Sequence, residues 1–258
     1  MTHEAHQQPD FRIVTLHTAA QRQQAAELYR SVFGYDHPSY GINPRLLAGL
    51  IANGGSVVGA LDHEDRLGGF AYGFLGTDGT ETYHYSQAAV VAAGHQSRGL
   101  GRRLKLAQRD VALATGISTM RWAYDPILTR NAHFNLDVLG ARGVSFHPEL
   151  YGEPGSDRIM INWDLSVEPG PHRAAEPLPQ PAARPGADAW GKPITDGDRI
   201  LLPLPTDLTA LRSHDPIRAA DLAITLRHTL VTIFGDGYQA VSCSAVGHTA
   251  YYIFRAAA

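Results

Sequence analysis

The spacing of apolar and polar positions lays out most of the elements before any chemistry is considered. Phe11 to Leu16 reads as a short strand. Thr18, with Gln21 three residues on, opens a helix through a capping-box pattern; Leu28 and Val32 mark its apolar stripe and Gly34 ends it. Asn43-Pro44 starts a second helix with Leu46, Leu47, Leu50 and Ile51 inside and Gly54 at its end. Ser56–Leu61 and Arg66–Leu75 read as strands around the turn Asp62–Asp65, and Asp78-Gly79 turns into a third strand, Glu81–Ala92. A helix follows from Leu100 to Thr115, with Leu104, Ala107, Val111 and Ala114 at helical spacing and Gly116 after them. Thr119–Tyr124 is a strand, Asn131–Leu139 a short helix closed by Gly140, and Val144–Pro148 and Arg158–Leu165 are two more strands. The order β-α-α-β-β-β-α-β-α-β-β predicts an α/β fold with a mixed sheet flanked by helices.

The pattern breaks after residue 166. Six prolines fall between Glu168 and Gly186, among alanines and small polar residues. Such a stretch has few backbone donors and no core to bury, so residues 167–198 are expected to be a linker. Beyond it, Arg199–Leu204 reads as a strand, and Asp215-Pro216 starts a helix carrying Leu222, Ala223, Leu226, Leu230 and Ile233. Tyr238–Cys243 and Thr249–Phe254 read as a hairpin. The expected organisation is therefore 1–166 as the main domain and 199–258 as a small α+β unit. A unit of that size is marginal alone and is expected to pack on the main domain or on a second subunit, giving a homodimer.

Composition narrows the function. With 44% hydrophobic and 18% charged residues and a net charge of −3, the chain is neither disordered nor a basic nucleic-acid binder. Cys243 is the only cysteine, which excludes an intrachain disulfide and a cysteine-based zinc site. Thirteen histidines invite a metal, but no H-x-x-x-H or H-x-E pair falls on one predicted helix, so no metal is expected. The polar start of the chain does not read as a signal peptide. Gly237–Phe254, the longest stretch free of charge, is interrupted by polar residues, so no membrane span is expected and the protein is expected to be cytoplasmic.

The segment Val91-Ala92-Ala93-Gly94-His95-Gln96-Ser97-Arg98-Gly99-Leu100-Gly101-Arg102-Arg103 joins a strand to a helix. Unpaired N–H groups and the positive end of the helix dipole at such a junction suit a phosphate. Gly99 and Gly101 take away side chains that would hold a pyrophosphate off, and three arginines add charge. A tight turn with solvated arginines has the same spacing. The segment is not a G-x-x-x-x-G-K-[ST] loop, and G-x-G-x-x-G does not occur in it.

Gln96-Ser97-Arg98-Gly99-Leu100-Gly101 is similar to the Q-x-x-G-x-G loop of the GNAT N-acyltransferase superfamily, and the element order of residues 11–165 resembles that fold. Asn131-Ala132-His133-Phe134-Asn135-Leu136 through Leu139-Gly140-Ala141 resembles the second CoA-facing helix, in a branch marked by N-A-H-F-N-L-x-x-L-G-A and a C-terminal extension. The resemblance implies an acyl-CoA co-substrate, acetyl-CoA or succinyl-CoA, and a small-molecule amine acceptor such as an amino acid or a natural-product amine. It implies that main-chain groups of Val91, Ala92 and Ala93 pair with the pantetheine arm. The N–H groups of Gln96, Ser97, Arg98, Gly99, Leu100, Gly101, Arg102 and Arg103 would cradle the pyrophosphate, and Asn131 would bond the arm near the thiol. The alternative reading of Asn131 is as the N-cap of its helix.

Direct acyl transfer needs a neutral amine, a donor for the developing oxyanion and a proton for the departing thiolate. Leu136 occupies the position where many such transferases carry an acidic tyrosine. His84 is the expected base and Tyr124 or His133 the expected donor; Tyr83 and Tyr85 lie on the opposite face of the strand from His84 and Ser86. Trp122, Tyr124, Tyr151 and Trp163 could line an acceptor pocket or pack in the core. A non-catalytic CoA-binding protein is the competing reading, and Leu136 is the residue that supports it.

Overall fold

The computed structural model describes residues 10–168, 176–178 and 186–257. The start of the chain and most of the proline-rich stretch lie outside the described residues. The chain divides into two compact units, Met1–Met120 and Arg121–Ala258.

The first unit is an antiparallel meander, β1 (Arg12–Thr15), β2 (Ser56–Leu61), β3 (Leu67–Thr77) and β4 (Thr82–Val91), in that order. Period-2 alternation sends neighbouring residues to opposite faces. Val57, Phe70, Tyr72 and Val90 pack with Leu16, Ala25 and Leu47 near α1 (Ala19–Phe33) and α2 (Pro44–Ala52). Val58, Ala60 and Ala71 pack with Phe11, Leu100 and Leu104 of α3 (Leu100–Ala114). Both predicted helix starts hold: Thr18 and Gln21 form the reciprocal capping box, and Asn43 caps α2 through Arg45. Val32 and Leu46, expected on apolar faces, are exposed. On α3 the buried face runs through Leu100, Leu104, Lys105, Gln108 and Ala112. It is rotated from the expected stripe and, with Arg109, carries three polar residues. Between β3 and β4, Tyr72 pairs with Ala88 while Gly73 pairs with Ser86, so Gln87 is an extra residue that bulges β4.

The second unit carries β5 (Thr119–Tyr124), β6 (Arg142–His147), β7 (Arg158–Asp164), β8 (Ile194–Asp196), β9 (Arg199–Pro205), β10 (Tyr238–Val246) and β11 (Thr249–Ala256), ordered β5-β7-β6-β10-β11-β9-β8. Residues 199–258, expected as a separate small unit, continue this sheet: Ala240 of β10 pairs with Gly143 of β6. Glycine is what permits the approach, because a Cβ at 143 would stand 2.9 Å from that of Ala240. The helix α4 (Thr129–His133) runs into a π-turn over Phe134–Val138. Asn135, Leu136 and Asp137 are all buried there, three consecutive residues that the tighter α-helix would spread around its circumference. α5 (Leu208–His214), which the apolar pattern did not announce, is capped by Asp207; α6 (Pro216–Gly235) is capped by Asp215.

Candidate active site

Hydrogen bonds hold the first half of the strand-to-helix loop. The Ala92 N–H donates to the Gly68 carbonyl at 3.0 Å and the His95 N–H to the Ala92 carbonyl at 2.8 Å. Gln96 Nε2 reaches back to the Val91 carbonyl at 3.0 Å, so this side chain ties the loop to the strand end. Ser97 (φ 61°) and Gly99 (φ 77°) are left-handed, a conformation that costs Ser97 energy and that Gly99 takes freely. No side chain caps α3, and its first internal bond is Arg103 N–H to the Gly99 carbonyl at 3.1 Å. The Gln96 N–H is also engaged, with the Ala93 carbonyl at 3.4 Å. With the Gln96 and Arg103 N–H groups engaged, the cradle of donors is narrower than expected. Arg98 is exposed, whereas the Arg103 guanidinium donates to the Phe11 carbonyl. An uncapped helix start behind two left-handed residues fits an anionic pyrophosphate.

His84 sits elsewhere than a substrate-facing base would. It is fully buried, and a directed chain of hydrogen bonds ends on it. Lys105 Nζ donates to Ser86 Oγ (2.7 Å) and Ser86 Oγ to Gln108 Oε1 (2.8 Å). Gln108 Nε2 donates to Ser56 Oγ (3.0 Å), whose hydroxyl meets His84 Nε2 at 2.8 Å. The other ring nitrogen, Nδ1, is buried with no partner among the described residues. Burial, then the Lys105 charge, pushes the imidazole down to about 4, and burial brings Lys105 down to about 7. Gly73 makes the room, since a Cβ there would meet His84 Nε2 at 2.6 Å and the Tyr85 carbonyl at 2.4 Å.

In the second unit Tyr124 is buried, its hydroxyl donating to Tyr252 at 3.3 Å; burial pushes its phenol well above the ordinary value. Trp122 and Trp163 stack edge to face in the core, while Tyr151 is exposed under Arg158. Asn131 is exposed and inside α4, whose N-cap is Leu128, so the capping reading of Asn131 is overturned. Leu136 is fully buried. His133 stands apart: 52% of its side chain is exposed, and Nδ1 lies 3.1 Å from Asp137 Oδ2 and 2.9 Å from the Cys243 carbonyl. Asp137, buried, also accepts from Ser242 Oγ (2.5 Å) and the Cys243 N–H (2.8 Å). The hydrogen bond that Nδ1 donates to Asp137 raises the imidazole's pKa, against a smaller lowering by burial. A cavity of about 370 Å³ opens beside it, lined by Thr129, Arg130, His133, Thr206, Cys243, Ala245 and Ala250.

No protein-family profile matches the chain, and no curated protein does. Solved acetyltransferase structures do resemble it. One is an aminoglycoside 6'-N-acetyltransferase complexed with coenzyme A: 14% identity and a TM-score of 0.48, over 62% of this chain and 99% of that one. A candidate acetyltransferase of the GNAT family from Desulfovibrio desulfuricans gives 18% and 0.48 over 60% and 99%. A candidate acetyltransferase of Salmonella typhimurium, yncA, with acetyl-CoA, gives 18% and 0.49 over 62% and 97%.

Among the described residues no three His, Cys, Asp or Glu side chains gather as a metal set, and no helix is long and apolar enough to cross a membrane. Sequence reasoning missed Ser56, Lys105, Gln108 and Asp137. Only His133 and Asp137, four apart on one helix, left a local signal.

Proposed function

We propose that the chain is an acyl-CoA-dependent N-acyltransferase of the GNAT type, moving an acetyl or succinyl group to the amine of a small molecule. The observation that carries the reading is the uncapped start of α3 behind left-handed Ser97 and Gly99, in the motif that resembles the pyrophosphate loop of those enzymes. Acyl-CoA supplies an activated thioester carbonyl. The start of α3 holds the anionic end, and Gln96 fixes the loop to the strand. The Gln87 bulge lifts β4 out of register with β3, freeing main-chain groups of the kind that stabilise an oxyanion. The reaction needs neither a metal nor a covalent enzyme intermediate.

Thermal shift with CoA, acetyl-CoA and succinyl-CoA tests this reading. A ligand at a hundred times its Kd stabilises by about 2.7 kcal/mol. Ser97→Pro locks φ near −65° where the loop needs 61°. It should keep the fold and weaken the thioester at least about tenfold. No stabilisation by any thioester would sink the reading. Leu136 and the burial of His84 and Tyr124 favour a second one, CoA binding without catalysis. Stabilisation without turnover of any thioester would select it.

A further inference from the structure

We propose that the outer face of α6 pairs with the same face of a second copy of this chain, the two helices running antiparallel about Ile224. The pairing uses the second unit alone and does not depend on which acyl group the chain moves.

Two stripes run along α6. Ala219, Leu222, Leu226, Leu230 and Ile233 are buried and lie on one side of the helix. Ile217, Asp221, Ile224, His228 and Val231 follow one another at steps of four and three, within an arc of about 80° on the other side. All five are exposed, and the apolar ones heavily so: Ile217 by 75%, Ile224 by 58% and Val231 by 50%. A single apolar residue on a surface needs no explanation, but three on one line do. They are also β-branched, a choice that helix propensity disfavours on a solvent face. Isoleucine and valine at every seventh residue are what the seam of a helix pair uses.

Asp221 and His228 identify what covers the face. Neither side chain has a hydrogen bond or an ion pair among the described residues. The arginines beside the stripe are already engaged: Arg227 by Asp157 and Glu149, and Arg218 by the Trp190 ring and the Ala187 carbonyl. A two-fold axis at Ile224 lays the stripe on its own reverse. Ile217 then meets the partner's Val231, Ile224 meets the partner's Ile224, and Asp221 meets the partner's His228 at both ends of the contact. Each carboxylate accepts from an imidazole N–H. A parallel pairing would instead set Asp221 against the partner's Asp221. The order apolar, acid, apolar, base, apolar is thus complementary to itself only when reversed. Ala220 and Thr232, small and exposed at the borders, let a second helix axis come within about 8 to 10 Å.

The contact is modest. A helix of 20 residues is about 30 Å long, and its one face falls short of the roughly 800 Å² a side of a standard interface. The dimer is therefore a weak, reversible one.

Sedimentation velocity of the full chain between about 1 and 100 µM tests this. We expect a monomer–dimer equilibrium within that range. Ile224→Glu, which sets two carboxylates on the axis, should raise Kd at least about tenfold. Asp221→Lys and His228→Glu should each raise it about fivefold by facing like groups. Together they should return to within about twofold of the wild type, a recovery that only contact between these two positions produces. At the lowest concentration the variants should unfold thermally with the wild type, which separates loss of the dimer from loss of the fold. A monomer at every concentration would overturn the proposal and leave the face to a different protein. A dimer indifferent to Ile224→Glu, or a double variant no tighter than its two singles, would overturn it as well.

Discussion

Two histidines in this chain are each fixed by hydrogen bonds, and their surroundings give them opposite chemistry. His84 ends a chain of donors that starts at Lys105 under α3, is sealed from water, and is pushed down to about 4, by burial first and then by the Lys105 charge. His133 holds a carboxylate, keeps half its side chain exposed, and is raised by that carboxylate. Residue type and strand position favoured His84 as the base. What separates the two is the partner: the Ser56 hydroxyl occupies Nε2 of His84, while a carboxylate that accepts from Nδ1 of His133 leaves that ring's lone pair at Nε2.

The comparison can be broken most forcefully at Asp137. Asp137→Ala leaves the Ser242 hydroxyl and the Cys243 N–H buried without their acceptor. We expect a loss of about 3 kcal/mol in urea unfolding, with Asp137→Asn costing about 1 kcal/mol because an amide oxygen can still accept. Equal losses would mean that the carboxylate charge, not hydrogen bonding, ties α4 to β10. The matching test in the first unit is Gly73→Ala. Its Cβ would press on a backbone carbonyl and on His84 Nε2, and we expect a loss of about 2 kcal/mol. Combining it with His84→Ala should recover part of that loss, a coupling that double-mutant unfolding measures.

The difference between the two sites also marks how far the sequence could be read. Local rules carried the elements: the Thr18–Gln21 box, the Asn43-Pro44 start and the Asp215-Pro216 start each act within four residues and hold in the structure. Strand parity correctly paired His84 with Ser86, but could not say which face was closed. That depended on α3, where the expected stripe of Leu104, Ala107, Val111 and Ala114 yields to a buried face carrying Lys105 and Gln108. Polar residues on a helix normally signal the solvent side, so the pattern pointed the wrong way. The partners of Asp137 lie 105 and 106 residues downstream, beyond the proline-rich stretch, where no spacing rule reaches. Gly143, whose missing side chain admits β10 beside β6, read as nothing more than a strand residue.

A smaller effect sharpens the sealed site. Lys105→Met removes a buried cation while Ser86 keeps its acceptor, Gln108. We expect a gain of about 1 kcal/mol at pH 7. Lys105 is brought down to about 7 in the fold from the ordinary 10.5, so between those values the unfolded chain binds more protons and the wild type stabilises as pH rises. The advantage of Lys105→Met should therefore fade from pH 7 towards 10.5 in urea titrations. A constant advantage would mean that Lys105 is charged throughout and that packing alone explains the gain.

The last test sets the two histidines against each other by sign. His84 has a folded value of about 4 against 6.5 unfolded. Its contribution is present above 6.5 and is lost as pH falls towards 4. His133 is raised, so its contribution is complete below 6.5 and is lost as pH rises through its folded value. Between pH 7 and pH 5.5, His84→Gln should flatten the acid-side fall in stability by about 1 kcal/mol. His133→Gln should steepen the same fall by a smaller amount, because half of that side chain is in water. Two changes of the same sign would show that the carboxylate of Asp137 does not hold the His133 proton in the folded protein, and the assignment of Nε2 as the open lone pair would go with it.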